Sequence, residues 1–221
     1  MRVEYSEGRS ILCESPAEEV ANIITHGFGA LLGVAATVVM IVLAVPHSAW
    51  HVVSVSVFGA SLILLYTCST IYHWTTSHHG KLKLQIADHV LIFVLIAGSY
   101  TPWLLVSLRG PWGWSLFGAV WVIAVCGTYL KIKRIRGLEK VSSFLYIAMG
   151  WIIVLAFRPL MENVNSVGVS WLVAGGLSYT VGVAFFAMQR VRFAHAIWHL
   201  FVLTGSACHV YAVIRGVLIA Q

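Results

Sequence analysis

Seven long apolar segments, separated by short polar ones, constrain the fold of this chain more than any other feature. A helix needs about 20 predominantly apolar residues to cross the hydrocarbon core of a bilayer. Within that core only helices and closed barrels satisfy their own backbone hydrogen bonds, and these segments do not alternate between apolar and polar residues. The sequence therefore predicts an all-α membrane protein, a bundle of seven transmembrane helices that forms one domain over residues 1–221. The predicted spans cover roughly residues 20–44, 52–75, 84–107, 112–130, 141–157, 169–188 and 195–218, and the fifth is the shortest.

The low content of charged residues excludes an ordinary soluble domain. Only 10% of the residues are charged and 59% are hydrophobic, whereas soluble domains contain about 25% charged residues. The net charge of +6 could suggest a nucleic-acid-binding protein. The cations, however, lie in short runs between the apolar segments, and this pattern favours a role in membrane topology over contact with nucleic acid.

The lysines and arginines predict a cytoplasmic N-terminus and a C-terminus outside. With this orientation eleven of them lie in cytoplasmic segments and three outside, as the excess of cations on the cytoplasmic side requires. The run from Lys131 to Lys140 is interpreted as a solvated loop that also touches anionic lipid. The cytoplasmic cations are Arg2, Arg9, Lys81, Lys83, Lys131, Lys133, Arg134, Arg136, Lys140, Arg190 and Arg192, and the outer ones are Arg109, Arg158 and Arg215.

Ionisable side chains from distant segments converge on the predicted cytoplasmic ends of the spans. His73 lies near the end of the second span, Asp88 near the start of the third, and His195 and His199 at the start of the seventh. Ionisable groups are rare inside bilayers because burying them there is costly, so they indicate function. By contrast, single histidines such as His26 and His89 are interpreted as interfacial or hydrogen-bonded to a neighbour.

The spacing of these residues indicates a metal site. His195 and His199 are four residues apart, so they lie on one face of a helix and can share one ion. Ser69 and His73 have the same spacing. Three imidazoles suit Zn²⁺ with a fourth position open to water, although they also suit other transition metals. Asp88 would accept a hydrogen bond from that water or orient a ligand. A structural metal that only joins the second and seventh spans is an alternative.

Four motifs together resemble the progestin and adipoQ receptor superfamily, specifically its bacterial hemolysin III branch, over nearly the whole chain. The resemblance implies a seven-helix bundle inverted relative to G-protein-coupled receptors and a zinc ion bound by His73, His195 and His199. It also implies that Asp88 and Ser69 lie near the metal-bound water, but it gives the first motif no clear role. The motifs are Glu19-x2-Asn22-x3-His26, Ser69-x3-His73, Asp88 followed by AGSYTP at 97–102, and His195-x3-His199.

The resemblance suggests several functions for a protein of the bacterial inner membrane whose partners are membrane lipids or fatty acyl chains. The first is a zinc-dependent lipid amide or ester hydrolase, because the superfamily resembles ceramidases; Asp88 would be the general base and Ser69 would position the water. The second is a non-enzymatic regulator of membrane lipid homeostasis or fluidity. A cytolysin, which the branch name suggests, would need a soluble state that seven apolar spans disfavour. A transporter is disfavoured because the charged groups stop at one side of the membrane.

Overall fold

Seven helical spans account for most of the protein in a computed structural model that describes residues 2–4, 10–12, 15–133, 138–188 and 191–219. This confirms the predicted number of spans, and most boundaries agree within a few residues. The direction of insertion stays a prediction, and four of the cations behind it, Arg9, Arg134, Arg136 and Arg190, lie outside the described residues. The spans are Pro16–Ala44, Ala49–Trp74, His78–Ser107, Pro111–Lys133, Val141–Asn163, Ser166–Ala187 and Ala194–Leu218.

Eight α-helices build these spans. They are α1 (Pro16–Ala44), α2 (Ala49–Trp74), α3 (His78–Pro102), α4 (Pro111–Lys133), α5 (Leu138–Gly150), α6 (Phe157–Asn163), α7 (Ser166–Ala187) and α8 (Ala194–Val213). Single π-helical turns extend α3 over Trp103–Ser107 and α8 over Ile214–Leu218. A short antiparallel pair, β1 (Arg2–Glu4) and β2 (Ser10–Leu12), precedes the bundle.

The start of α1 is fixed by its own sequence. The Ser15 hydroxyl accepts a hydrogen bond from the Glu18 backbone N–H, and the Glu18 carboxylate accepts one from the Ser15 backbone N–H. This reciprocal capping box satisfies two backbone donors that the first turn would otherwise leave unpaired. Pro16 occupies the first helical position, where its missing N–H costs nothing. The start of α1 positions Glu18, which contacts Phe193 just before α8, and Glu19, which contacts His73 of α2.

The fifth span is not one regular helix. A 3-10 segment, Ile152–Ala156, separates α5 from α6. The break is tolerated because the Tyr100 hydroxyl donates to the Gly150 carbonyl at 2.7 Å and accepts from the Ile153 N–H at 3.2 Å. Irregular backbone at membrane depth needs partners of this kind within the protein. The predicted span 141–157 is therefore too short at its end, since the irregular helix continues to Asn163.

The bundle has three central spans and four peripheral ones. The apolar stretches of the second, third and seventh spans are 50%, 61% and 50% buried, whereas the values for the other four lie between 17% and 22%. α1 packs on α2 and α8, α3 packs on α2 and α4, and α7 packs on α8. Large apolar side chains such as Leu31 and Val125 face outward, as a lipid-facing surface requires. The side chains predicted to bind a metal lie on two of the central spans.

Candidate metal centre

Three histidines from α2 and α8 meet at one end of the bundle. His73 lies in the last turn of α2, and His195 and His199 lie in the first two turns of α8. One ring nitrogen from each residue can be chosen so that all three atoms lie within 4.8 Å of one another. The ring centroids are 5.2 Å apart for His73 and His195, 5.1 Å for His73 and His199, and 4.6 Å for His195 and His199. This group could hold a metal ion.

Two ring nitrogens of this group are available to bind a metal. His199 is fully buried and His73 is 4% exposed, and neither Nε2 atom has a hydrogen-bond partner among the described residues. A buried polar atom without a partner is unfavourable and rare in native proteins. A bound metal ion would satisfy both atoms. Three imidazoles leave a tetrahedral ion with one open position, as in catalytic zinc sites.

The Glu19 carboxylate orients His73. Glu19 Oε2 lies 2.7 Å from His73 Nδ1, and the other carboxylate oxygen pairs with the Lys81 ammonium. Because a carboxylate only accepts hydrogen bonds, Nδ1 is protonated and the lone pair of the imidazole is on Nε2. Metal-binding histidines usually have such a carboxylate partner, which fixes the tautomer and the ring orientation. Asn22 Nδ2 lies 3.5 Å from the same Nδ1, and because both atoms carry protons in this tautomer, this contact does not orient His73. The geometry thus gives a role to Glu19 of the first motif.

Thr25 orients His199 in a corresponding way. Its hydroxyl oxygen lies 2.9 Å from the Ala21 carbonyl, 3.0 Å from the Asn22 carbonyl and 3.2 Å from His199 Nδ1. The single hydroxyl proton is donated to one of the carbonyls, so the oxygen accepts from Nδ1–H. The lone pair of His199 is then on Nε2 and available to a metal. Thr25 was not predicted from the sequence, although it lies three residues after Asn22 in the same motif.

His26 is a neighbour of the metal-binding group and not a member of it. Its ring stacks on His199 with centroids 3.4 Å apart and an angle of 9° between the planes, and Tyr66 contacts it edge-on at 5.0 Å. At 2% exposure it is deep within the bundle. Neither of its ring nitrogens has a hydrogen-bond partner in the described part of the chain, so it differs from the interfacial or hydrogen-bonded histidine that was expected. Its ring limits how far His199 can tilt.

Asp88 and Ser69 form a second buried polar pair. Ser69 is fully buried and Asp88 is 3% exposed. The Ser69 hydroxyl interacts with Asp88, although the two groups do not have the geometry of a standard hydrogen bond. Ser69 lies one turn before His73 on α2, and Asp88 lies on α3. Asp88 is not in the group of three ligands, which fits a residue that acts beside a metal better than one that binds it.

Glu18 connects the start of α1 to the start of α8. Its carboxylate accepts a hydrogen bond from the Phe193 backbone N–H. Phe193 has a left-handed backbone conformation, with φ of 59° and ψ of 14°. This conformation costs about 1–2 kcal/mol for a residue other than glycine, so the contact helps to hold the turn that leads into His195. The sequence did not predict this contact, because the position of Glu18 three residues after Ser15 indicates only a capping box at the start of α1.

The fold and this site together define a multi-pass helical membrane protein with a group of three histidines, two buried and one partly buried, that could hold a metal ion. The chain belongs to the haemolysin III family, because the family model described as haemolysin-III related matches residues 15–210. No solved structure gives a significant match.

Relatives with similar sequences come from bacteria and mammals. The chain is 47% identical to Hemolysin-3 of Bacillus cereus, over 91% of this chain and 92% of that protein. It is 44% identical to the Hemolysin-3 homolog of Bacillus subtilis (strain 168), over 89% and 93% of the two chains. It is also 32% identical to the human monocyte to macrophage differentiation factor, over 89% of this chain and 83% of that protein.

Proposed function

We propose that this protein binds Zn²⁺ through His73, His195 and His199 and hydrolyses an amide or ester bond of an acyl lipid at the cytoplasmic side of the bacterial inner membrane. The observation that supports it most is the group of three imidazoles, of which the buried His73 and His199 have Nε2 atoms without a partner among the described residues. The buried carboxylate of Asp88 beside Ser69 adds the acid–base group that hydrolysis needs. The bacterial relatives support the choice of membrane.

Each residue has a role that follows from its chemistry. A bound Zn²⁺ supplies Lewis acidity and lowers the pKa of water from 15.7 to about 7. Asp88 takes the proton of the attacking water as general base. The Ser69 hydroxyl holds that water or donates a hydrogen bond to the developing oxyanion. Glu19 and Thr25 hold two of the imidazoles with their Nε2 atoms directed at the site.

An acyl lipid suits the surroundings of the site. The described residues form spans that are apolar on their outward faces, so an acyl chain can lie against the protein within the bilayer. The site lies at the ends of α2 and α8, where a polar head group at the membrane surface would meet it while the chain stays in the apolar region. The reaction would then occur at the level of the inner-leaflet head groups.

Elemental analysis tests the metal part of this proposal. The purified wild-type protein should contain zinc in near-stoichiometric amount, and the double variant His195→Ala, His199→Ala should lose it. The matched control is the double variant His47→Ala, His51→Ala, which removes two imidazoles with the same spacing that stack at 4.9 Å elsewhere in the protein. Equal zinc contents in the two variants would rule out the proposed ligands.

Turnover tests the hydrolase part. Protein in detergent is incubated with ceramide and with acyl esters, and released fatty acid is measured by mass spectrometry. Asp88→Asn and chelation should each abolish release, Ser69→Ala should reduce it, and Glu162→Gln at an exposed ion pair should leave it unchanged. Release that persists in Asp88→Asn and after chelation would refute the mechanism.

A non-enzymatic regulator of membrane lipid state is the second candidate. One observation favours it: the three ligands come from two central helices, so a metal could fix α2 against α8 while Asp88 stays outside the ligand group. In that case, zinc would raise the unfolding temperature of the protein without any turnover. A deletion strain would then show altered membrane order or fatty-acid composition under cold or fatty-acid stress, and an unaltered strain would refute this role.

A further inference from the structure

A cavity lies between the end of α3, the irregular fifth span, α7 and α8. Its volume is about 380 Å³, within the range of cavities that bind small molecules. From α8, His209 lines this cavity. His209 lies ten residues after His199, and this separation corresponds to about 15 Å along the helix. Its described lining is mostly apolar and aromatic, with a few polar groups, and includes no residue of the Asp, Glu, Lys or Arg types. The cavity is thus separate from the three-histidine group.

Two polar side chains of the lining have unused hydrogen-bonding groups. His209 is 8% exposed and Trp103 is 1% exposed, and neither the two ring nitrogens of His209 nor Trp103 Nε1 has a partner among the described residues. The other polar side chains of the lining already donate hydrogen bonds within the protein. The Ser99 hydroxyl donates to the Ile96 carbonyl, the Tyr100 hydroxyl to the Gly150 carbonyl, and Trp151 Nε1–H to the Thr180 hydroxyl.

The position of His209 is defined by the helix it packs against. A Cβ atom at Gly175 of α7 would lie 2.3 Å from His209 Cδ2 and 2.7 Å from Nε2. The imidazole therefore occupies space that only a glycine leaves open, and the neighbouring Gly176 lines the cavity. An imidazole enclosed in this way without hydrogen bonds is unfavourable unless a ligand completes them.

We propose that this cavity binds an uncharged single-chain lipid that ends in a hydroxyl group. A hydroxyl both donates and accepts, so it can donate to an unprotonated nitrogen of His209 or accept from the N–H of Trp103. A carboxylate or phosphate would enter without a cation to pair with, at a high cost in free energy. The aromatic and aliphatic walls would enclose the alkyl chain. This site is independent of the proposed metal and of hydrolysis.

The test uses dodecanol with a terminal photoreactive diazirine and the full-length protein in phosphatidylethanolamine–phosphatidylglycerol nanodiscs. Crosslinks are mapped by peptide mass spectrometry. Labelling of the segments containing Trp103 and Trp151 should saturate, and unlabelled dodecanol should compete at least tenfold better than dodecanoate. His209→Leu should weaken labelling about fivefold, as expected for the loss of one hydrogen bond.

A glycine pair supplies the matched variants. A Cβ at Gly176 meets the Trp151 ring at an ordinary 3.5 Å, so Gly176→Leu should fold and place its side chain in the cavity; Gly118 has nothing described within 4 Å of its Cβ position. Gly176→Leu should abolish the saturable labelling, and Gly118→Leu should retain it. Equal labelling in these two variants, or equal competition by dodecanoate, would overturn the proposal. Labelling should survive His195→Ala, His199→Ala, so failure of the metal proposal would not affect this one.

Discussion

Glu19 and His73 are 54 positions apart in the sequence, yet Glu19 Oε2 lies 2.7 Å from His73 Nδ1. The contact joins the first turn of α1 to the last turn of α2. It links the Glu19-x2-Asn22-x3-His26 motif, which has no metal ligand among its members, to a histidine that could bind the metal. Glu19 of this motif therefore orients His73, a role that the sequence alone did not reveal.

Removing the Glu19 carboxylate should weaken metal binding. Glu19→Ala leaves His73 Nδ1 without its acceptor, and the loss of such a partner typically lowers metal affinity by about 10–100-fold. Competition with a chromophoric zinc chelator measures the effect. Glu19→Gln should lose less, because its amide oxygen can still accept from Nδ1–H, and Glu162→Ala should not change the affinity. Unchanged zinc affinity in Glu19→Ala would contradict this role.

Thr25→Val should also weaken zinc binding, by about two- to tenfold. The substitution keeps the shape of the side chain and removes the acceptor of His199 Nδ1–H, a contribution of about 0.5–1.5 kcal/mol. Thr70→Val is the matched control, since among the described residues the Thr70 hydroxyl bonds only to the Tyr66 carbonyl of its own helix, at 2.7 Å. The two variants should have the same affinity for zinc if Thr25 merely supports the helix.

Close packing of α1 on α2 depends on Gly59. A Cβ at this position would lie 2.3 Å from Thr37 Oγ1 and 2.4 Å from Cγ2, so Gly59→Ala should destabilise the protein by about 1–3 kcal/mol through overpacking. Gly118→Ala meets no described atom within 4 Å and should be neutral or slightly stabilising, because alanine favours helix. Thermal unfolding in detergent separates these outcomes, and equal unfolding temperatures would contradict the packing argument.

The predicted orientation can be tested with reporter fusions. Green fluorescent protein fused after Gln221 should be dark, because it does not fold when exported in this way, whereas alkaline phosphatase at the same position should be active. Fusions that end at Lys133, the end of α4, should show the reverse. Fluorescent C-terminal fusions would place the three histidines at the outer face and exclude a cytoplasmic reaction.

The number of spans and the proximity of the three histidines could be predicted because each depends largely on short-range patterns. The length of each apolar segment predicts a span. The spacing of four residues between His195 and His199 predicts that both lie on one face of a helix. Topology then brings His73 to the same level. The contacts of Thr25 and Glu18 depend instead on how α1 is rotated against α8, which no local pattern encodes. The break in the fifth span is stabilised by Tyr100, 50 residues away from Gly150, so its length could not be read from apolar residues alone.

The carboxylates of Glu18 and Glu19 are neighbours on α1 but contact different helices, Phe193 before α8 and His73 on α2. Because one helical turn supports both side chains, a rotation or vertical shift of α1 would disturb both contacts at once. The distance between the imidazoles of α2 and α8 is thus tied to the placement of a third helix that supplies no ligand. A change in bilayer thickness or lateral pressure that moves α1, whose apolar stretch is only 22% buried, would therefore change the spacing of the three histidines without contacting any of them.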